Sequence, residues 1–142
     1  MKTTVANPAK IEKIWYLVDA KDKTLGKIST TIANKLRGKD KTIFSPHLDL
    51  GDFVIVINAQ KVRLTGKKME KKTYNWHSKF PGGLKEEGVA KMLERNPAKV
   101  IWLAVEGMLP KNNLRNFFMK RLKVYKDENH PHVAQNPVEL KV

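Results

Sequence analysis

The run FVIVINA, from Phe53 to Ala59, constrains this chain more than any other stretch. It is apolar almost without alternation. Successive side chains of a strand point to opposite faces, so a strand with one wet face alternates apolar and polar residues. A run without alternation has both faces covered, as in a parallel sheet packed on each side. FVIVINA therefore predicts a central strand in a layered α/β fold.

The rest of the chain supplies the other elements. WYLVDA, Trp15 to Ala20, is a short β-favouring run that ends at Asp19, and it reads as a strand. Leu25, Ile28, Ile32 and Leu36 then recur at helical spacing with Ala33 beside them. Thr24 or Asp22 is placed to cap that helix, and Gly38 stands where a helix end takes a left-handed residue. Lys35, Arg37, Lys39 and Lys41 crowd the same end and suit the negative pole of the helix dipole. SPHLDLGD, residues 45–52, is turn chemistry. KVRLTG, residues 61–66, alternates Val62 and Leu64 with polar neighbours and reads as a weaker strand at an edge. Residues 66–83 read as a long basic loop, with room for an irregular hairpin, ending in Pro81-Gly82-Gly83. A loop that long is usually functional or disordered.

Beyond it, LKEEGVAKMLERNP (84–97) reads as a short helix that Gly88 weakens. In PAKVIWLAVEGMLP, Pro97 suits a first helical position. Val100, Ile101, Ala104, Val105 and Met108 share one face, so helix is favoured over strand. KNNLRNFFMKRL is a further helix around Leu114, Phe117, Phe118 and Leu122. LKVYKD (122–127) is a last short strand, and residues 128–142 are a proline-interrupted coil. Residues 1–13, polar and holding Pro8, read as a tail. The alternation of strands and helices predicts an α/β layered fold, and 142 residues fit one domain.

Charge then narrows the function. Lys plus Arg number 28 against 14 Asp plus Glu, a formal net charge of +14. A field of that size bears on partners rather than on fold. It points to nucleic acid first and to an anionic membrane surface second. No run approaches the roughly 20 apolar residues of a membrane span. The start, MKTTVANPAKIEK, lacks the apolar centre and cleavage pattern of a signal peptide. The absence of cysteine excludes disulfides, thiolate metal sites and a cysteine nucleophile. The expectation is a soluble intracellular protein with no membrane partner.

The charge is also segregated. Lys61 to Lys79 holds seven cations and one acid, Lys35 to Lys41 four cations and one acid, and Lys111 to Lys126 six cations and no acid. Solubility asks for far less, so phosphate binding is the reading preferred over a merely solvated face. Tyr74, Trp76, His77 and Phe80 are threaded through the densest stretch. Aromatics in a basic segment suit unstacked bases, which folded RNA supplies more often than duplex DNA. No helix-turn-helix, zinc-finger or basic-zipper pattern is present.

Catalytic and metal readings fare worse. His130 and His132, with His47 and His77, lack zinc spacing, an assisting cysteine and a nearby carboxylate cluster. Hydrogen bonds to phosphate or backbone, or stacking on a base, suit them better. The glycines form no nucleotide-binding signature, and Ser45, Ser78, His47 and Asp49 sit in no nucleophile-elbow context. No catalytic residue, no metal and no cofactor is expected. Asp19 and Asp52 flank strands, where turn and capping bonds account for them.

Seven motifs in order then carry a resemblance: WYLVDAKDKTLGK, LRGKDK (36–41), SPHLDLGDFVIVINAQKVRLTGKK (45–68), KTYNWHSKFPGGLK (72–85), AVEGMLPKN (104–112), LKVYKDENHPH (122–132) and AQNP (134–137). Together they resemble the bacterial type of the large-subunit ribosomal protein family numbered thirteen in the universal scheme. The resemblance implies a three-layer α/β/α domain with a short, mainly parallel four-stranded sheet plus basic loops and tails. It implies binding to large-subunit ribosomal RNA, neighbouring large-subunit ribosomal proteins as partners, and a role early in subunit assembly. It also implies a cytoplasmic, ribosome-bound location, no catalysis and no cofactor. Control of translation through mRNA, outside the ribosome, comes with the family as a further reading. The chain departs from the family pattern at Arg115-Asn116, at Lys126-Asp127-Glu128, at Glu106 and at Trp76.

The expected phosphate contacts are Lys67, Lys68, Lys71, Lys72 and Lys79, with Tyr74, Trp76 or His77 stacking on bases or packing the loop down. Lys39, Lys41, Lys111, Lys120, Arg121, His130 and His132 form a second rank. Without RNA, the Lys61–Gly83 stretch is expected to be mobile. Two rival functions are a free-standing RNA-binding protein, found mainly off ribosomes, and a metal- or nucleotide-dependent RNA-modifying enzyme.

Overall fold

The FVIVI run forms strand β2, Phe53–Ile57, an inner strand of a four-stranded sheet. A computed structural model describes residues 5–142, so the first four residues of the expected tail lie outside the described residues. Strand β1, Trp15–Asp19, lies beside β2 in parallel, with Val18 opposite Val56. Val54, Ile55 and Val56 have no exposed surface, which is the burial on both faces that their lack of alternation predicts.

The two faces are covered differently. Val18, Val54 and Val56 join a core with the apolar stripe of helix α1, Leu25–Arg37. Ile28, Ile32 and Leu36 are fully buried there, each worth about 2 kcal/mol by its apolar burial. Gly38 closes α1 at φ 72°, and its N–H bonds the carbonyls of Asn34 and Lys35, so the expected left-handed cap forms. Thr24 precedes the first turn but makes no side-chain cap. Helix α4, Pro97–Met108, packs on α1 and begins as Pro97 predicts, with the Asn96 side chain accepting the Lys99 N–H at 3.2 Å.

The opposite face carries Trp15 stacked on Phe53, ring centroids 4.2 Å apart. His132 lies 5.2 Å from the Trp15 ring and hydrogen-bonds the Tyr125 hydroxyl at 2.7 Å. The chain from Tyr125 onward, with a 3-10 turn at Val133–Gln135, thus covers this face. Helices, sheet and this thin covering make three layers.

Three expectations need correction. KVRLTG is not a strand. Asn58 turns left-handed at φ 57° directly after β2, and a 3-10 turn, Ala59–Lys61, uses the backbone groups that a ladder would need. Arg63 then makes a single bridge to Thr24. Val62 alternates because it is buried against the core. The fourth strand is found instead in the supposed coil: strand order is β5-β2-β1-β6. Here β5 is Leu122–Val124, as expected, and β6 is Val138–Glu139 beside Tyr16 and Leu17. Two residues carry no period to read.

Residues 66–83 hold the first strand and the turn of the hairpin that the loop reading left room for. Helical turn α2, Lys68–Lys71, leads into strand β3, Thr73–His77, which pairs antiparallel with β4, Leu84–Gly88. The expected helix therefore begins late, as α3, Val89–Arg95, with Gly88 at its cap position. LKEEG has little β preference of its own. Its register comes from the turn and from β3, a tertiary override of weak local propensity. Helix α5, Leu114–Lys120, completes the order, with Arg115-Asn116 in its first turn.

Candidate nucleic-acid interface

The hairpin β3–β4 stands apart from the main sheet and sorts its aromatics by face. Tyr74 is opposite Glu87 and Trp76 is opposite Lys85, while His77 is opposite Leu84. Alternation puts Tyr74, Trp76, Lys85 and Glu87 on one face and His77 on the other. Glu87 is buried and binds Arg95 at 2.7 Å. The Tyr74 hydroxyl is buried with no partner, and burial raises its pKa above the ordinary tyrosine value. This face anchors the hairpin. Trp76, at its outer end, keeps 44% of its surface exposed, and the Lys99 ammonium lies 6.0 Å from its ring centroid. Trp76 and His77 point to opposite faces, so one base cannot stack on both.

The tip is tightly wound. The Lys79 N–H donates to His77 Nδ1 at 2.9 Å, and Lys79 itself has φ 67°. Gly82 follows at φ 69°, and any side chain on Gly83 would collide with Ser78 Oγ and the Phe80 carbonyl. Pro81-Gly82-Gly83 does make the expected turn. It pushes Phe80 outward, 73% exposed, beside Lys79.

At the base of the hairpin, Lys67, Lys68, Lys71 and Lys72 line a shallow concavity of about 540 Å³. None of the four forms an ion pair among the described residues. The Lys72 ammonium lies 5.3 Å from the Tyr74 ring. Like charges three and four residues apart on one helical turn repel and cost stability.

The second-rank residues divide. Lys39, Lys111 and Lys120 are exposed. Lys41 is engaged within the chain, its Nζ 2.7 Å from Asp52 Oδ1. Asp52 is 3% exposed and also accepts the Ile14 N–H at 3.0 Å. Arg121, only 5% exposed, pairs with Asp49 and donates to the Leu36 carbonyl at 2.9 Å. His132 is packed against Trp15 and Tyr125. The structure thus takes Lys41, Arg121 and His132 out of the outward-facing set, because the carboxylates of Asp52 and Asp49 and aromatic neighbours hold them. His130 is half-buried, with an unpartnered Nδ1. Asp19 has the expected turn role, accepting the Lys21 N–H and the Asn58 amide, each at 2.9 Å. Burial opposes its ionisation, but these bonds and the Lys23 and Lys21 charges outweigh burial and hold its pKa below the usual value.

Lys85, Lys99 and Arg63 belong to this region and carry no signal of it in the sequence. Lys85 and Lys99 come to Trp76 only through strand register and helix packing. Among the described residues no group of three or more His, Asp or Glu side chains is placed to hold a metal ion, and no helix is long and apolar enough to cross a membrane.

Known proteins resemble this chain along its whole length. Residues 13–131 match the family described as Ribosomal protein L13. The chain is 54% identical over 142 residues to a protein of Aquifex aeolicus, covering 100% of this chain and 99% of that one. It is 54% identical to one of Caldicellulosiruptor bescii and 51% identical to one of Halorhodospira halophila, each with both chains fully covered. All three relatives bear the name large ribosomal subunit protein uL13. With full-length identity at this level and a family match across most of its residues, the chain belongs to the ribosomal protein L13 family.

Proposed function

We propose that this protein is a structural constituent of the large ribosomal subunit. It binds large-subunit ribosomal RNA through Lys and Arg contacts to phosphates and supports early subunit assembly in the cytoplasm, beside neighbouring ribosomal proteins. The observation that carries the reading is the unpaired cluster Lys67, Lys68, Lys71 and Lys72 at the foot of a hairpin that presents Trp76, Lys79 and Phe80. RNA phosphates supply the charge that the chain lacks, and releasing their counterions drives binding. The names of the relatives agree with this reading, and none of the three is the name of an enzyme.

The test is sedimentation of the tagged protein from lysed cells on sucrose gradients, at moderate and then high salt. Travel with the large subunit through the high-salt wash is the expected result. A protein that stays at the top, or leaves at modest salt, instead acts as a free-standing RNA-binding protein. Crosslinking then identifies its RNA, mRNA included.

A further inference from the structure

The concavity of the four lysines does not end at α2. Lys68 and Lys72 also line a second, narrower groove of about 350 Å³, with Arg63, Thr65, Gly26 and Gly107 and with apolar side chains of α1 and α4 along its floor. No acidic residue lines it. Tertiary structure assembles it from four separate segments. Arg63 is carried to the start of α1 by backbone bonds, its N–H to the Lys23 carbonyl at 2.9 Å and its carbonyl to the Leu25 N–H at 3.0 Å. Lys68 and Lys72 arrive on the helical turn that follows, and Gly107 arrives on α4, which packs along α1. A Cβ at Gly26 or at Gly107 would meet no atom within 4 Å, so both glycines leave the groove open. Arg63, like the lysines, has no ion-pair partner among the described residues.

We infer that this groove seats a backbone phosphate of the bound RNA, with Arg63, Lys68 and Lys72 as its counter-charges. The strand continues from there across Lys67 and Lys71. The inference rests on the RNA-binding reading and deepens it by giving the backbone a path. Three cations around a groove with no carboxylate suit an anion. An arginine beside lysines suits a phosphodiester in particular, because its planar fork gives two parallel donors to two oxygens.

The test measures binding of the full chain to protein-free large-subunit ribosomal RNA across a salt series, using wild type, Arg63→Gln and Gly107→Leu. Arg63→Gln is expected to lower the slope of log affinity against log salt by about 0.7 to 0.9, one phosphate contact. Gly107→Leu removes no charge, improves helix propensity and fills the groove. It is expected to weaken binding and flatten the slope at least as much as Arg63→Gln, with an unchanged melting profile. If wild type binds and Gly107→Leu binds equally well, the groove is not the seat, and Arg63 acts only through the general field. If wild type itself does not bind this RNA, the RNA-binding reading falls and the groove falls with it.

Discussion

Arg121 holds the Asp49 carboxylate with both ends of its guanidinium, Nη1 to Oδ2 at 2.6 Å and Nη2 to Oδ1 at 2.5 Å. The pair ties the chain entering β5 to the turn before β2, and a third bond to the Leu36 carbonyl ties both to the end of α1. Removing one partner of such a pair leaves a charge with poor solvation. Arg121→Met is expected to cost about 3 kcal/mol, the lower end for buried pairs because Asp49 keeps some solvent contact. Urea unfolding checks this. RNA affinity, measured where the variant is folded, should match wild type.

Lys39 and Lys41 stand two residues apart in opposite settings, Lys39 exposed and Lys41 paired with Asp52. Lys41→Gln strands the buried Asp52 carboxylate and should cost about 3 kcal/mol. Lys39→Gln should stay within about 0.5 kcal/mol of wild type and instead weaken RNA binding at low salt. Parallel thermal melts and filter-binding curves separate the two.

Salt dependence tests whether the lysine cluster meets phosphates. Lys67→Gln, Lys68→Gln and Lys71→Gln together should reduce the slope of log affinity against log salt by about 2 to 3. An unchanged slope would mean that the cluster meets no RNA phosphates.

Tyr74 makes stability pH-dependent at the alkaline end. Burial raises its pKa, so the folded state prefers the neutral phenol. That contribution is complete below the unfolded value of about 10 and is lost as pH rises through the higher folded value. Tyr74→Phe removes a buried hydroxyl that has no partner. It should leave stability at pH 7 within about 1 kcal/mol of wild type, or slightly higher. Above pH 10 it should lose less stability than wild type, read by chemical denaturation at each pH.

Gly83→Ala drives a methyl into Ser78 and the Phe80 carbonyl. A clash of this kind costs about 1 to 3 kcal/mol, and it should fall on the hairpin alone. Hydrogen exchange should speed up for amides of residues 73–77 and 84–88 and stay unchanged in β1 and β2.

The sequence by itself determined the layered core. FVIVI could be buried only on both faces, and the stripe from Leu25 to Leu36 with Gly38 behind it could cap only a helix against that strand. Both signals, an unbroken apolar run and a helical period, are local, so they survive without coordinates. It also determined that the partner is anionic, since charge adds up wherever the residues lie. Tertiary structure alone decided which cations face outward. Lys41 and Arg121 look like their neighbours in sequence, but the carboxylates that hold them, buried Asp52 and half-buried Asp49, come from turns distant in the chain. It alone paired LKEEG with TYNWH, because a charged strand takes its register from its partner. It also placed β6, two residues long and therefore without a period, at the sheet edge. And it alone brought Arg63, Lys68, Lys72 and Gly107 around one groove. Such convergence depends on how helices and turns pack, which no local pattern records.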